Sequence, residues 1–223
     1  QTFELGFSEG LAAVQVGELW GYIDVWGKMA IEPQFEYALN FSEGLAAVQV
    51  SLQWGYIDKN GRLVIQPQFA EASSFHEGLA AVLRTRAVAE STVYINTTGR
   101  VVLEPEAGYA GDFSEGLAVA LVVQDTGFNY GYLNKQGEWA IEPRFDSADA
   151  FSEGLAAVWI GEKCGYVDTS GAVVIPAEFA WGLAFSGGVA LVERIVDKRK
   201  STAYIDKTGA VVFESAGWAH IAW

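Results

Sequence analysis

Gly6-Phe7-Ser8-Glu9-Gly10 has the Gly-x-Ser-x-Gly form of a hydrolase nucleophile elbow, a strand-to-helix turn whose serine needs a histidine and an acid from elsewhere in the chain. The serine is not singular, however. Ser42, Ser114, Ser152 and Ser186 stand in the same context, and the chain holds only two histidines, His76 and His220. A serine copied along the chain beside so few bases reads as one that closes a turn before a strand. Carboxylates recur in the same register. Glu9, Glu43, Glu77, Glu115 and Glu153 precede the first strand of a unit, and Asp24, Asp58, Asp168 and Asp206 follow further on. Rows of acids could hold Ca²⁺, and a pair about 5–9 Å apart could hydrolyse a glycoside. No pair differs from its copies as an active site would, so these acids read as solvated turn residues. Two histidines and the lone Cys164 make no zinc set. Cys164 fills space in an apolar strand. Asn40-Phe41-Ser42 and Asn96-Thr97-Thr98 match the glycosylation triplet, again at repeated positions.

Basic residues gather in two places. Arg84 and Arg86 lie in one long connection, Arg194, Lys198, Arg199 and Lys200 in another, and together they are six of the fourteen Lys and Arg residues. Insertions on one side of a repeat array commonly build its binding face, so these six are the candidate contact patch, with solvated loop tips as the plainer reading.

The elements that carry these residues are repeats. Phe-Ser-Glu-Gly-Leu-Ala begins at Phe7, Phe41, Phe113 and Phe151, with variants at Phe75 and Phe185, at spacings of 34, 34, 38, 38 and 34. Tyr22-Ile23-Asp24, Tyr56-Ile57-Asp58, Tyr94-Ile95-Asn96, Tyr132-Leu133-Asn134, Tyr166-Val167-Asp168 and Tyr204-Ile205-Asp206 form a second anchor, and a glycine stands five residues after each Tyr. All length variation falls between the two anchors, as expected of a hairpin tip. Leu11 to Val16, Trp20 to Asp24 and Leu63 to Ile65 read as strands by their apolar, aromatic and β-branched content. The Asp-x-x-Gly segments read as tight turns, with Gly27, Gly61 and Gly137 at positive φ. Pro33, Pro67, Pro105 and Pro143 have no N–H for a ladder and are expected to end the third strand.

The expectation is an all-β chain of six tandem three-stranded hairpin repeats, each followed by an aromatic connector. It forms a single repeat domain over 1–223, with units near 7–40, 41–74, 75–112, 113–150, 151–184 and 185–223. Apolar residues at both parities of the strands imply that neighbouring units cover both sheet faces. An open β-solenoid or superhelix is favoured over a closed six-bladed propeller-like ring, because propeller blades usually carry four strands.

Composition excludes several classes of function. With 51% hydrophobic and 13% aromatic residues the chain is not disordered. A net charge of −14 repels phosphate backbones and argues against nucleic acid. No apolar run reaches the roughly 18 residues of a transmembrane helix, and one cysteine makes no disulfide framework. The start at Gln1 without Met is what a removed signal peptide would leave, so an extracellular or cell-surface location is expected, with the cytoplasm as the alternative.

Trp20-Gly21-Tyr22-Ile23-Asp24 and Trp54-Gly55-Tyr56-Ile57-Asp58-Lys59-Asn60-Gly61, followed by aliphatic-x-Pro-x-Phe, resemble the bacterial WG-repeat family over essentially the whole chain. The Trp-Gly pair itself is replaced by Thr92-Val93, Tyr130-Gly131, Cys164-Gly165 and Thr202-Ala203 in the other units. The resemblance implies an exported or surface binding protein and carries over no catalytic residues. The expected function is a non-enzymatic binding or scaffold module without a cofactor, its partner a protein or a glycan. The second reading is a structural subunit that self-associates end to end into filaments through Phe3, Phe7, Trp218 and Trp223, because the apolar ends carry no polar cap. The third is a carbohydrate-active enzyme.

Overall fold

Two turns shape every repeat of the computed structural model, which describes residues 6–85, 90–124, 127–196 and 199–215. In the first, Ser8 and Leu11 exchange both backbone hydrogen bonds around Glu9 at φ 52° and Gly10 at φ 87°. Positive φ at both central residues defines a type I′ turn, whose twist matches that of paired strands. In the second, Asp24 Oδ1 accepts the backbone N–H groups of Trp26 and Lys28 at 3.0 and 2.9 Å, and Gly27 N–H bonds back to the Asp24 carbonyl. The expected positive φ is found at Gly27, Gly61 and Gly137, at 77°, 77° and 81°.

The strands between these turns form antiparallel sheets in chain order. The first is β1 (Leu11–Val16), β2 (Leu19–Asp24) and β3 (Met29–Phe35). The second is β4 (Tyr37–Ala38), β5 (Ala46–Val50), β6 (Gln53–Ile57) and β7 (Leu63–Phe69), and the third β8 (Glu71–Ala72), β9 (Ala80–Thr85), β10 (Glu90–Ile95) and β11 (Val101–Leu103). β12 (Tyr109–Ser114), β13 (Leu117–Gln124), β14 (Gly127–Asn134) and β15 (Trp139–Phe145) make the fourth. β16 (Ser147–Ala148), β17 (Leu155–Ile160), β18 (Lys163–Asp168) and β19 (Val173–Phe179) make the fifth. The sixth is β20 (Trp181–Gly182), β21 (Val189–Val196), β22 (Arg199–Asp206) and β23 (Val211–Ser215). The all-β, six-repeat expectation holds among the described residues. The extra residues of the long repeats lengthen hairpin arms, to eight residues each in β13, β14, β21 and β22.

Two expectations are corrected. The connector is not merely an aromatic joint: it supplies a fourth strand in five of the six sheets. Tyr37 and Ala38 pair with Gln49 and Val48, because the open edge of β5 offers backbone donors and acceptors that would otherwise lack partners in a crowded interior. The count of three strands per unit, on which the open array rested, therefore fails. Pro33, Pro67 and Pro143 also do not end the third strand. They lie inside β3, β7 and β15, within an irregularity where three residues face one, and Pro176 lies likewise in β19. A bulge has a residue with no ladder bond to make, and a residue without an N–H fits there. Pro105 alone of the expected four follows its strand.

The chain divides into two compact units, residues 1–112 and 113–223. In each, the apolar clusters lie between consecutive sheets. Tyr22, Ile31, Phe35 and Phe41 pack with Val48 and Ile57, and Tyr56, Ile65, Phe69 and Phe75 pack with Val82 and Val93. In the second unit Tyr132, Ile141, Phe145 and Phe151 pack with Val158 and Val167, and Tyr166, Ile175, Phe179 and Phe185 pack with Val192 and Ala203. Within each unit, consecutive sheets thus share an apolar layer, and the middle sheet is covered on both faces, as the mixed parity of apolar residues implies.

Candidate functional site

The residues most able to do chemistry converge on one recurring place, the joint between one repeat and the next. Ser8 Oγ donates to the Phe41 carbonyl at 2.6 Å, Ser42 Oγ to that of Phe75 at 2.6 Å, Ser114 Oγ to that of Phe151 and Ser152 Oγ to that of Phe185, both at 2.8 Å. The carboxylate that follows reaches the next turn in the same direction. Gly44 N–H donates to Glu9 Oε2 at 3.1 Å, Gly78 N–H to Glu43 Oε2 and Gly154 N–H to Glu115 Oε2 at 2.9 Å, and Glu153 takes the N–H groups of both Gly187 and Gly188 at 2.6 and 2.9 Å. Lys59 Nζ lies 3.0 Å from Glu9 Oε2 and Lys207 Nζ 3.3 Å from Glu153 Oε2. Desolvation pushes the Glu9 carboxyl upward, but Lys59 and the Gly44 N–H outweigh it and hold it below its ordinary range. The Gly188 N–H, with Lys207, does the same for Glu153.

The tyrosine anchor completes the joint. The rings of Tyr22, Tyr56, Tyr94, Tyr132 and Tyr166 are wholly buried. Tyr22, Tyr56, Tyr132 and Tyr166 meet the next repeat's Phe at centroid distances of 4.9, 4.9, 4.7 and 5.0 Å. A buried phenol needs an acceptor, and each finds a backbone carbonyl seventeen residues on: Leu39, Ser73, Gly111, Asp149 and Leu183, at 2.6–2.8 Å. Burial raises all five phenol pKa values.

The hairpin acids and amides are likewise engaged by backbone. Asp58, Asp168 and Asp206 each accept two N–H groups, as Asn96 and Asn134 do in their repeats. The Arg62 N–H at Asp58 and the Ser170 and Thr208 hydroxyls at Asp168 and Asp206 lead the groups that lower those carboxyl pKa values. His76 replaces the joint serine, its Nε2 3.8 Å from Asp112. Burial pushes the Cys164 thiol up to about 12. His220 lies outside the described residues. Among the described residues no three His, Cys, Asp or Glu side chains converge where an ion could sit.

Of the candidate contact patch, Arg86 and Lys198 lie outside the described residues. Arg84 pairs with Glu104 at 2.6 Å, Arg194 with Glu214 at 3.4 Å and Lys200 with Glu193 at 2.8 Å, while Arg199 is exposed. The first two pairs are the same pair in two repeats, an arginine on the first long strand and a glutamate twenty residues on. A cleft of about 290 Å³ beside Arg84 is lined by Gln68, Phe69, Gly99 and Val101. Phe3, Trp218 and Trp223 also fall outside the described residues, whereas Phe7 is exposed.

Sequence reasoning missed why the second residue of the Trp-Gly pair is glycine. A Cβ at Gly21, Gly55, Gly131 or Gly165 would come within 2.5–2.6 Å of a backbone oxygen on the third strand, where the proline irregularity bows inward. In the sixth sheet Ala203 stands there and faces Glu214 in regular register with no proline. The signal in the chain was partial: repeat six lacks both the glycine and the proline, whereas repeat three carries Val93 and keeps Pro105, which there follows the strand and does not lie within it.

A tandem array of antiparallel hairpin sheets, clasped by Ser-Glu turns, is an all-β repeat protein. The chain belongs to the WG containing repeat family, whose model matches residues 5–20, 20–51, 54–84, 94–125, 130–164 and 165–194. No curated protein matches the sequence. Similar solved structures include a putative TolB from Agrobacterium tumefaciens, 13% identical with a TM-score of 0.46 over 84% of each chain. TolB from Acinetobacter baumannii is 10% identical with a TM-score of 0.49, over 86% of this chain and 58% of that one. Hsv2 from Kluyveromyces lactis is 11% identical with a TM-score of 0.49, over 91% and 73%.

Proposed function

We propose that this chain is a non-catalytic binding scaffold whose variable hairpin tips meet a protein partner. The observation that carries the reading is a division of labour inside each repeat. The joint serines, glutamates and aspartates are engaged by backbone in register, and length varies only at the hairpin between the two anchors. The long hairpins display apolar residues that no core explains: Val123 and Phe128 at one tip and Ile195 at another are exposed, beside Arg199 and Lys200. Exposed apolar groups rimmed by charge suit protein association.

The test is a screen of peptides, proteins and glycans against the wild type and a tip variant, Val123→Ser, Phe128→Ser, Ile195→Ser, Arg199→Ser and Lys200→Ser. The reading expects a salt-sensitive protein ligand that the variant loses without a change in thermal midpoint. Turnover of a carbohydrate, abolished by Glu115→Gln or Glu153→Gln, would replace it with the hydrolase reading. Four strands per sheet remove the ground for preferring an open array to a closed ring, and solution scattering decides between them by an elongated or a disc-like envelope.

A further inference from the structure

Repeats one and two differ from the rest in one row of side chains. Gln15 stands directly across the ladder from Trp20, and Gln49 from Trp54. In the later repeats the same pairs are Leu83–Thr92, Leu121–Tyr130, Trp159–Cys164 and Glu193–Thr202. Residues directly opposite share a face of the sheet, so only the first two repeats set an amide against an indole. Tyr37 pairs with Gln49 from its other side and joins the two. Its ring lies 5.2 Å from that of Trp20 and 5.8 Å from that of Trp54, with planes turned by 38° and 59°. Three rings and two amides thus make one continuous row inside the first compact unit, crossing the joint of repeats one and two.

Trp20, Tyr37, Gln49 and Trp54 are half-buried and Gln15 is exposed. Trp20 and Trp54 lean on the apolar clusters of their joints, which holds the rings in place. An indole N–H ordinarily finds an acceptor as it is buried. Among the described residues none reaches Trp20 or Trp54, and none bonds the side-chain amide of Gln15 or Gln49. The Glu36 carboxylate beside Tyr37 is held by the Ser51 and Leu52 N–H groups at 3.1 and 2.9 Å. The row therefore offers aromatic surface edged by uncharged donors and acceptors, the combination that fixes a small polar ligand.

That chemistry suits a neutral glycan. A pyranose presents C–H groups that lie against aromatic rings, and its rim carries hydroxyls that both donate and accept. An indole only donates, whereas an amide does both, so the two Gln side-chain carbonyls need a donor. A proline-rich segment also lies on aromatic rings, but it has few N–H groups to give those carbonyls. We propose that Trp20, Tyr37 and Trp54, with Gln15 and Gln49, bind an uncharged oligosaccharide laid across repeats one and two. The site shares no residue with the hairpin-tip reading and stands without it.

Calorimetric titration of the whole chain with neutral hexasaccharides of glucose, xylose, mannose and N-acetylglucosamine, in α and β linkage, tests it. At least one should bind. Gln15→Leu with Gln49→Leu should weaken that binding about 10–100-fold, the worth of two hydrogen bonds. The thermal midpoint should hold, because Leu83 and Leu121 already occupy this position in repeats three and four. Trp54→Tyr, matching Tyr130 of repeat four, should weaken binding about 5–10-fold and reads the site independently if the double variant unfolds. The hairpin-tip variant should bind the glycan as the wild type does, so the two readings fail separately. No binding of any neutral hexasaccharide at millimolar concentration overturns the proposal, and so does binding that ignores the Gln and Trp changes. Displacement of the sugar by octaproline at lower concentration, or binding of charged polysaccharides alone, overturns it equally.

Discussion

A glutamate at positive φ is the least expected residue of this molecule, since the left-handed region costs a residue with a Cβ roughly 1–2 kcal/mol. Glu9, Glu43, Glu77, Glu115 and Glu153 all adopt it. At Glu9, Glu43, Glu115 and Glu153 the carboxylate returns a bond to the next repeat's backbone, which offsets the strain. Ser51 and Leu52, at φ 52° and 63° in the β5–β6 tip, have less in return, a Glu36 carboxylate on their exposed N–H groups. Asn-Gly suits such a turn without strain. Ser51→Asn with Leu52→Gly should therefore stabilise by about 1–2 kcal/mol, a rise in thermal midpoint of roughly 2–8 °C. An unchanged or lower midpoint would show that the strain is already relieved.

The turn aspartates also set a pH response. Asp58, Asp168 and Asp206 have lowered pKa values when folded. Their stabilisation is present above the ordinary carboxylate range and fades as pH falls through the folded values, because the unfolded chain takes up protons first. Asn96 and Asn134 make the same turn without a titrating group. Asp58→Asn, Asp168→Asn and Asp206→Asn combined should flatten the fall of thermal midpoint below the carboxylate range. A fall as steep as that of the wild type would assign acid sensitivity to other groups.

At the scale of elements, the Trp-Gly glycine and the inward bow of the facing strand are one device. The third strand bows toward the second, and only a residue without a Cβ leaves it room. Gly165→Ala should cost about 1–3 kcal/mol or more, since backbone atoms cannot rotate aside. The reciprocal Ala203→Gly, in the regular sixth sheet, should cost only about 0.5–1 kcal/mol through backbone entropy. Urea unfolding of the two variants measures the contrast, and equal costs would mean that the close approach is not what selects glycine. The irregularity also blunts the outer edge strands, which would otherwise invite another strand to pair.

At the scale of the whole molecule, stability is distributed over repeated joints. In such arrays each interface adds its own increment. Tyr22→Phe, Tyr56→Phe, Tyr132→Phe and Tyr166→Phe each strand a backbone carbonyl and should each cost about 1–3 kcal/mol. Pairs taken from separate joints, such as Tyr22→Phe with Tyr166→Phe, should add. Thermal unfolding checks both, and strongly unequal costs would mean that the joints are not equivalent.

The repeat period, the strands, both turns and the positive φ of the turn glycines were all legible in the chain, because each depends on residues within a few positions of one another. Glu9 and Gly44, or Tyr22 and the Leu39 carbonyl, are partners only after one sheet lies on the next, and no local rule pairs residues 35 or 17 apart. The same holds for the fourth strand, which the connector forms because an edge needs bonding, and for Pro33, which sits inside a strand because Gly21 admits a bow there. Sequence alone determined what each repeat is made of. Tertiary structure decided which neighbour every polar atom serves, because burial at the joints, and not the turns themselves, is what forces each of those atoms to find a partner.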